Sequence, residues 1–118
     1  MESLRILIVE DDALIAEVLG ELLTAMGHKV CDTSATQIDA VAAAGRLKPD
    51  LMIVDGALRQ GSGISAVEEI TRSGPMPHFF LSGNSGRISA ARPDSIVLRK
   101  PFRLDELSRA IDSAMVTH

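Results

Sequence analysis

Two unbroken apolar runs, Ile6-Leu7-Ile8-Val9 and Leu51-Met52-Ile53-Val54, each run straight into acid. Four residues are too few for a helix, and an apolar run without alternation suits a strand covered on both faces. After Glu10-Asp11-Asp12 the period changes. Leu14, Ile15, Val18, Leu19, Leu22, Leu23 and Met26 fall at helical spacing, with Asp12 placed to cap the helix and Gly27 to end it. This stripe reads as core rather than as a binding groove. Residues 28–33 predict a weaker strand around Val30, and Ile38, Val41, Ala42 and Leu47 mark a helix that stops before Pro49. Past the second strong run, Gly56, Gly61 and Gly63 punctuate a loop. A helix follows, carrying Ile64, Val67 and Ile70 and closed by Gly74-Pro75. Phe79-Phe80-Leu81 is a strand ending at Ser82-Gly83, Ile96-Val97-Leu98 is the last strand, and Leu104, Leu107, Ile111 and Met115 give the last helix its face. Residues 84–94 hold one large apolar side chain, Ile88, among Gly86, Arg87, Arg92 and Pro93, which predicts a short or irregular helix.

Strand and helix thus alternate five times. That order predicts an α/β fold with a parallel sheet and helices on both faces, and right-handed crossovers make it a doubly wound sandwich. No repeat, low-complexity segment or linker interrupts the chain, so residues 1–118 are expected to form one domain. A chain of this length buries roughly 65% of its unfolded surface in a single core.

Composition narrows the function classes. With 46% hydrophobic and 24% charged residues the chain reads as a soluble globular protein, expected in the cytoplasm. A net charge of −4, with 12 basic residues in no dense block, recommends neither nucleic acid nor an anionic membrane as a ligand. Neither a signal peptide nor a membrane span is expected: the start lacks a basic region and the apolar runs are far below the roughly 20 residues a span needs. The single cysteine, Cys31, excludes an internal disulfide and reads as a small buried hydrophobe. His28, His78 and His118 have no metal-ligand spacing.

In an open α/β sheet the ligand crevice lies beyond the carboxyl ends of the strands. Those ends hold Glu10-Asp11-Asp12, Asp55, Ser82-Gly83 and Lys100-Pro101. Two like charges about 5 Å apart repel by roughly 3 kcal/mol at an effective dielectric near 20, so three acids approach roughly 10 kcal/mol unless neutralised. A proton or a cation is called for. An all-oxygen donor set without His or Cys selects a hard cation, Mg²⁺ where phosphate is handled.

The segments ILIVEDD (6–12), LMIVD (51–55), LSG (81–83) and RKPF (99–102) resemble, in order and separation, the motifs of the receiver domain of two-component response regulators. The resemblance covers essentially the whole chain. It implies a flavodoxin-like five-stranded sheet of order 2-1-3-4-5 and a phosphoryl group accepted on Asp55. It further implies Mg²⁺ bound by Asp11 directly, by Glu10 through a water, by Asp55 and by the Ala57 carbonyl. Ser82 and Lys100 would each hold a phosphoryl oxygen, Pro101 would follow Lys100 through a cis bond, and Asp12 would cap a helix rather than bind metal. The implied partners are a sensor histidine kinase or histidine phosphotransfer protein and a downstream protein reached by contact or phosphorelay. The protein is expected to be a monomer or weak homodimer that catalyses only its own phosphorylation and dephosphorylation.

The chain departs from the family pattern in three places. Val97 occupies the usual aromatic switch position, which puts the rotamer-flip account of activation in doubt. Leu58-Arg59 with Gly61 replaces the usual Met/Leu-Pro turn, leaving Arg59 either a solvated loop residue or a contact to a partner or phosphate. The 82–100 segment is short and polar, so a reduced fourth helix is expected. Rival readings are a phosphatase of the haloacid-dehalogenase type, which wants a second Asp where Ala57 stands, and a flavin carrier, which wants aromatics in a chain with three Phe and no Trp or Tyr. A third is a phosphorylation-independent binding module, whose usual mark is loss of an acid or of the lysine.

Overall fold

Strands that are apolar without alternation must be covered on both sides, and the topology supplies that cover. The computed structural model describes residues 2–83, 92 and 94–117. Its elements are β1 (Arg5–Val9), α1 (Ala13–Ala25), β2 (Lys29–Ser34), α2 (Gln37–Leu47), β3 (Leu51–Asp55), α3 (Gly63–Thr71), β4 (His78–Ser82), β5 (Val97–Arg99) and α4 (Leu104–Thr117). The strands are all parallel in the order β2-β1-β3-β4-β5, the order the resemblance implied. Residues 84–91 and 93, which hold most of the segment expected to form a reduced helix, lie outside the described residues.

Alternate residues of the central strands feed two separate cores. Ile6, Ile8, Leu51, Ile53, Phe79 and Leu81 pack with Leu19 and Leu23 of α1 and Leu107 and Ile111 of α4. Leu7, Val9, Met52, Val54 and Phe80 pack on the other face with Ala40 and Ala44 of α2 and Val67 of α3. Adjacent Phe79 and Phe80 are fully buried on opposite sides of the sheet, each stabilising the fold by about 1.5–3 kcal/mol. The small alanines of α2 let that helix lie close against the sheet.

Local signals behave as the sequence predicts where the chain turns. The Asp12 side chain accepts from the Leu14 and Ile15 N–H groups and caps α1, while Gly27 takes φ 93° just beyond its end. Thr36 and Ser62 cap α2 and α3 in the same way. α2 stops at Leu47, two residues before Pro49. The predicted stripe on α1 is only partly core: Leu19 and Leu23 are buried, but Leu14 is 68% and Val18 45% exposed. The stripe is wider than the sheet face it covers. Cys31, on the edge strand β2, is half-buried rather than buried, and its Sγ donates to the Ile6 carbonyl at 3.4 Å. Two histidines have structural work. His28 Nδ1 accepts from the Leu4 N–H at 3.1 Å, and His78 Nδ1 donates to the Met76 carbonyl at 2.8 Å. No helix among the described residues is long and apolar enough to cross a membrane.

One glycine is required by close approach. A Cβ at Gly63, the first residue of α3, would collide with the Asp55 carbonyl oxygen and lie 2.8 Å from Val54 Cγ1. Gly63→Ala is therefore expected to destabilise the fold by about 1–3 kcal/mol and to displace the end of β3. Urea denaturation checks the first effect, and amide chemical shifts of residues 54–57 check the second. A variant as stable as the parent with unmoved shifts would show that the contact relaxes freely.

Candidate functional site

Parallel register brings four strand ends to one edge of the sheet. Val9 lies beside Val54, Asp55 beside Leu81, and Ser82 beside Arg99. The residues that follow or end these strands are Glu10, Asp11, Asp55, Ser82 and Lys100, so the sequence-predicted side chains converge. Glu10, Asp11 and Asp55 each offer a carboxylate oxygen within 4.8 Å of the others. Glu10 is 2%, Asp55 7% and Ser82 7% exposed. Such crowding of buried acids is the arrangement whose repulsion must be answered.

Lys100 answers two of the three. Its Nζ lies 2.7 Å from Glu10 Oε1 and 3.0 Å from Asp55 Oδ2. Its backbone N–H donates to the Ser82 carbonyl at 2.9 Å, which extends the β4–β5 ladder by one step and aims the lysine over the carboxylates. The peptide bond to Pro101 is cis, as implied. Three further carboxylate oxygens accept from backbone donors. Asp12 N–H donates to Glu10 Oε2 at 3.1 Å, and Ala57 N–H to Asp55 Oδ1 at 3.0 Å. Asp11 Oδ2 accepts from the Arg59 N–H at 2.7 Å, with the Arg59 Nε 3.7 Å away. Asp12 turns its own side chain to the helix cap and away from the acidic cluster.

Three contributors escaped the sequence reading. Arg59 was open between solvent and a contact; its side chain is 84% exposed while its backbone secures Asp11, 48 positions away. No periodic signal links residues so far apart. Gln37, at the start of α2, accepts from the Ser62 N–H at 3.0 Å through Oε1 and donates its own N–H to the Gln60 carbonyl at 3.2 Å. It thereby clamps the loop that carries Ala57 and Arg59. Gly61, at φ 83°, is the turn residue that lets it close in, since a Cβ there would meet Gln37 Cβ at 2.5 Å. The third is the exposed half of the α1 stripe: Leu14, Ile15 and Val18 line an apolar groove with Phe102, Pro101 and the site residue Lys100.

Charge follows from this geometry. Burial first, and the Asp55 carboxylate second, push the Glu10 carboxyl up to about 7, against the pull of Lys100 and the Asp12 N–H. Desolvation works to lower the Lys100 pKa, but its bonds to Glu10 and Asp55 outweigh that and raise it. The folded chain thus holds the Glu10 proton up to about pH 7, whereas a free glutamate releases it near 4.5. Glu10 therefore adds stability that is fully present below pH 4.5 and gone above pH 7, on the order of 3 kcal/mol. Without divalent cations, the urea midpoint should drop as the pH rises from 4.5 to about 7, and Glu10→Gln should remove most of that slope. Equal slopes in parent and variant would refute the assignment.

Comparison with known proteins agrees with this arrangement. The family model of the response regulator receiver domain matches residues 6–112. The phyllosphere-induced regulator PhyR of Methylorubrum extorquens is 33% identical over 115 residues, covering 94% of this chain and 43% of that protein. The transcriptional regulatory protein PdtaR of Mycobacterium tuberculosis is 35% identical over 115 residues, covering 94% and 56%. The chain thus spans about half the length of these curated relatives. Among solved structures, the PhyR receiver domain of Erythrobacter litoralis superposes with a TM-score of 0.88 at 33% identity, covering 98% of this chain and 92% of that one. The receiver domain of Thermotoga maritima CheB gives 0.84 at 26% identity, covering 98% of each. With its sheet order, its acid-lined strand ends and its match over residues 6–112, the chain belongs to the response-regulator receiver domain family.

Proposed function

We propose that Asp55 accepts a phosphoryl group from a phosphohistidine of a sensor kinase or phosphotransfer protein, in a reaction that needs Mg²⁺, and that the phosphorylated domain signals by protein contact or phosphorelay. The observation that carries this reading is the convergence of three carboxylates within 4.8 Å, two of them bonded to one lysine. A site with this much negative charge suits a divalent cation, and its oxygen-only donors fit Mg²⁺. Glu10, Asp11, Asp55 and the Ala57 carbonyl would hold the ion. When bound, Mg²⁺ supplies charge neutralisation for phosphoryl oxygens.

The chain's own groups perform the remaining work. An Asp55 carboxylate oxygen attacks phosphorus while the bond from phosphorus to the donor imidazole breaks, its electron pair leaving with nitrogen. The product is an acyl phosphate, and a carboxylate nucleophile has no proton to lose, so no general base is called for. Transfer of this kind rests mainly on positioning and charge. The Ala57 N–H fixes one Asp55 oxygen and Lys100 the other. After transfer, Lys100 and Ser82, at the end of β4, would each hold a phosphoryl oxygen. A protein donor is favoured by the groove beside Lys100, where Leu14 and Val18 leave apolar surface in water.

Incubation with Mg²⁺ and acetyl phosphate or phosphoramidate should add roughly 80 Da, the mass of a phosphoryl group on an acyl phosphate, and Asp55→Asn should abolish the gain. No gain from these donors or from a panel of phosphorylated kinases would leave a phosphorylation-independent binding module in its place. Switching has a second test. Charge-assisted bonds contribute about 1.5–3 kcal/mol each, and inverting a 1:99 equilibrium needs about 5.5 kcal/mol. One new bond each from Lys100 and Ser82 would total roughly 3–6 kcal/mol, only just enough, so losing Ser82 leaves the bias short. Phosphorylated Ser82→Ala should show amide shifts intermediate between the two states; complete switching would contradict the assignment.

A further inference from the structure

Among the described residues, Arg59 is a charged side chain at the site's rim to which the proposed chemistry gives no task. Its two contacts with Asp11 differ in kind. The backbone N–H, 2.7 Å from Asp11 Oδ2, is a directional bond that holds the carboxylate in place. A carboxylate oxygen has further lone-pair capacity, so this bond is compatible with a cation on the same group. The guanidinium Nε at 3.7 Å is beyond hydrogen-bond length and acts on Asp11 as a charge. Unlike Lys100, whose side chain is 21% exposed and bonded to two acids, the Arg59 side chain is 84% exposed. It can withdraw into water at almost no desolvation cost.

Building on the metal reading above, we propose that the Arg59 side chain is an internal competitor for the divalent cation: it partly neutralises Asp11 in the ion-free site, lowers the site's Mg²⁺ affinity, and is released when the ion binds. Two positive charges drawn to one carboxylate repel each other, and the more mobile one yields. Thermodynamic reciprocity makes the coupling work in both directions, so whatever draws Arg59 away raises the affinity for the ion. Metal binding then releases the guanidinium from Asp11, on the loop that follows the nucleophile.

The test is a titration of the ¹⁵N-labelled protein with MgCl₂, read from the amide shifts of residues 10, 11, 55 and 57, for the parent, Arg59→Gln, Arg59→Lys and Arg72→Gln. Arg72, exposed at the far end of α3, controls for net charge alone. Removing an exposed ion pair of this kind should tighten Mg²⁺ binding about two- to fivefold in Arg59→Gln. Arg59→Lys should stay near the parent, and the gap should narrow at high salt, as screening of an exposed charge requires. Unchanged or weaker binding by Arg59→Gln, or an equal gain in Arg72→Gln, overturns the competition. If the parent itself shows no Mg²⁺-dependent shifts, the metal reading falls and this inference falls with it.

Discussion

Mutual repulsion of three carboxylates within 4.8 Å is the constraint around which this end of the molecule is built. At an effective dielectric near 20 the cost approaches roughly 10 kcal/mol, comparable to the whole stability of a small domain. A fold that gathers such groups must bring cations with them. Lys100 bridges two of the acids and Arg59 lies against the third, while backbone N–H groups of Asp12, Ala57 and Arg59 each take up one carboxylate oxygen. None of these donors comes from the segment that supplies its acceptor except the two that cap their own loops. The site is therefore a property of the assembled sheet, and its charge balance reports on whether β1, β3 and β5 have met in register.

That dependence explains why sequence alone read so much of the fold. Covered strands leave no polar face, and the runs 6–9 and 51–54 could be recognised because both neighbouring helices demand apolar partners. Each such run ends on an acid, and the carboxyl-end rule for open sheets brings those acids together from sequence position alone. The edge strands were harder. β2 and β5 begin one residue later than their apolar content indicated, because one side of an edge strand makes few demands on its sequence. β4 begins one residue earlier, at His78, whose ring is buried through a bond to Met76 that no hydropathy pattern encodes.

The site divides along the same line. The charged and polar side chains gathered at strand ends were legible from position: Glu10, Asp11, Asp55, Ser82 and Lys100. Residues that hold loops together were not. Gln37 reaches the 60–62 turn across 25 positions, and the Arg59 backbone reaches Asp11 across 48. Such contacts depend on the path of a loop, which no local periodicity specifies. The α1 stripe failed for a different reason: helical spacing shows that a face is apolar but not whether the sheet is wide enough to cover it, and Leu14 and Val18 fall beyond its edge.

The alternation of β3 between two cores ties wiring to folding. Ile53 belongs to one core and Met52 and Val54 to the other, while Asp55 ends the same strand. A slip of one position would turn each of these side chains to the opposite face and withdraw the aspartate in the same movement. A chain threaded that way would lose both cores together with the acidic cluster, so the position of Asp55 and the stability of the fold cannot vary separately. Within this architecture a mutation can change the acids and keep the fold, but it cannot slide Asp55 along β3 and keep both cores.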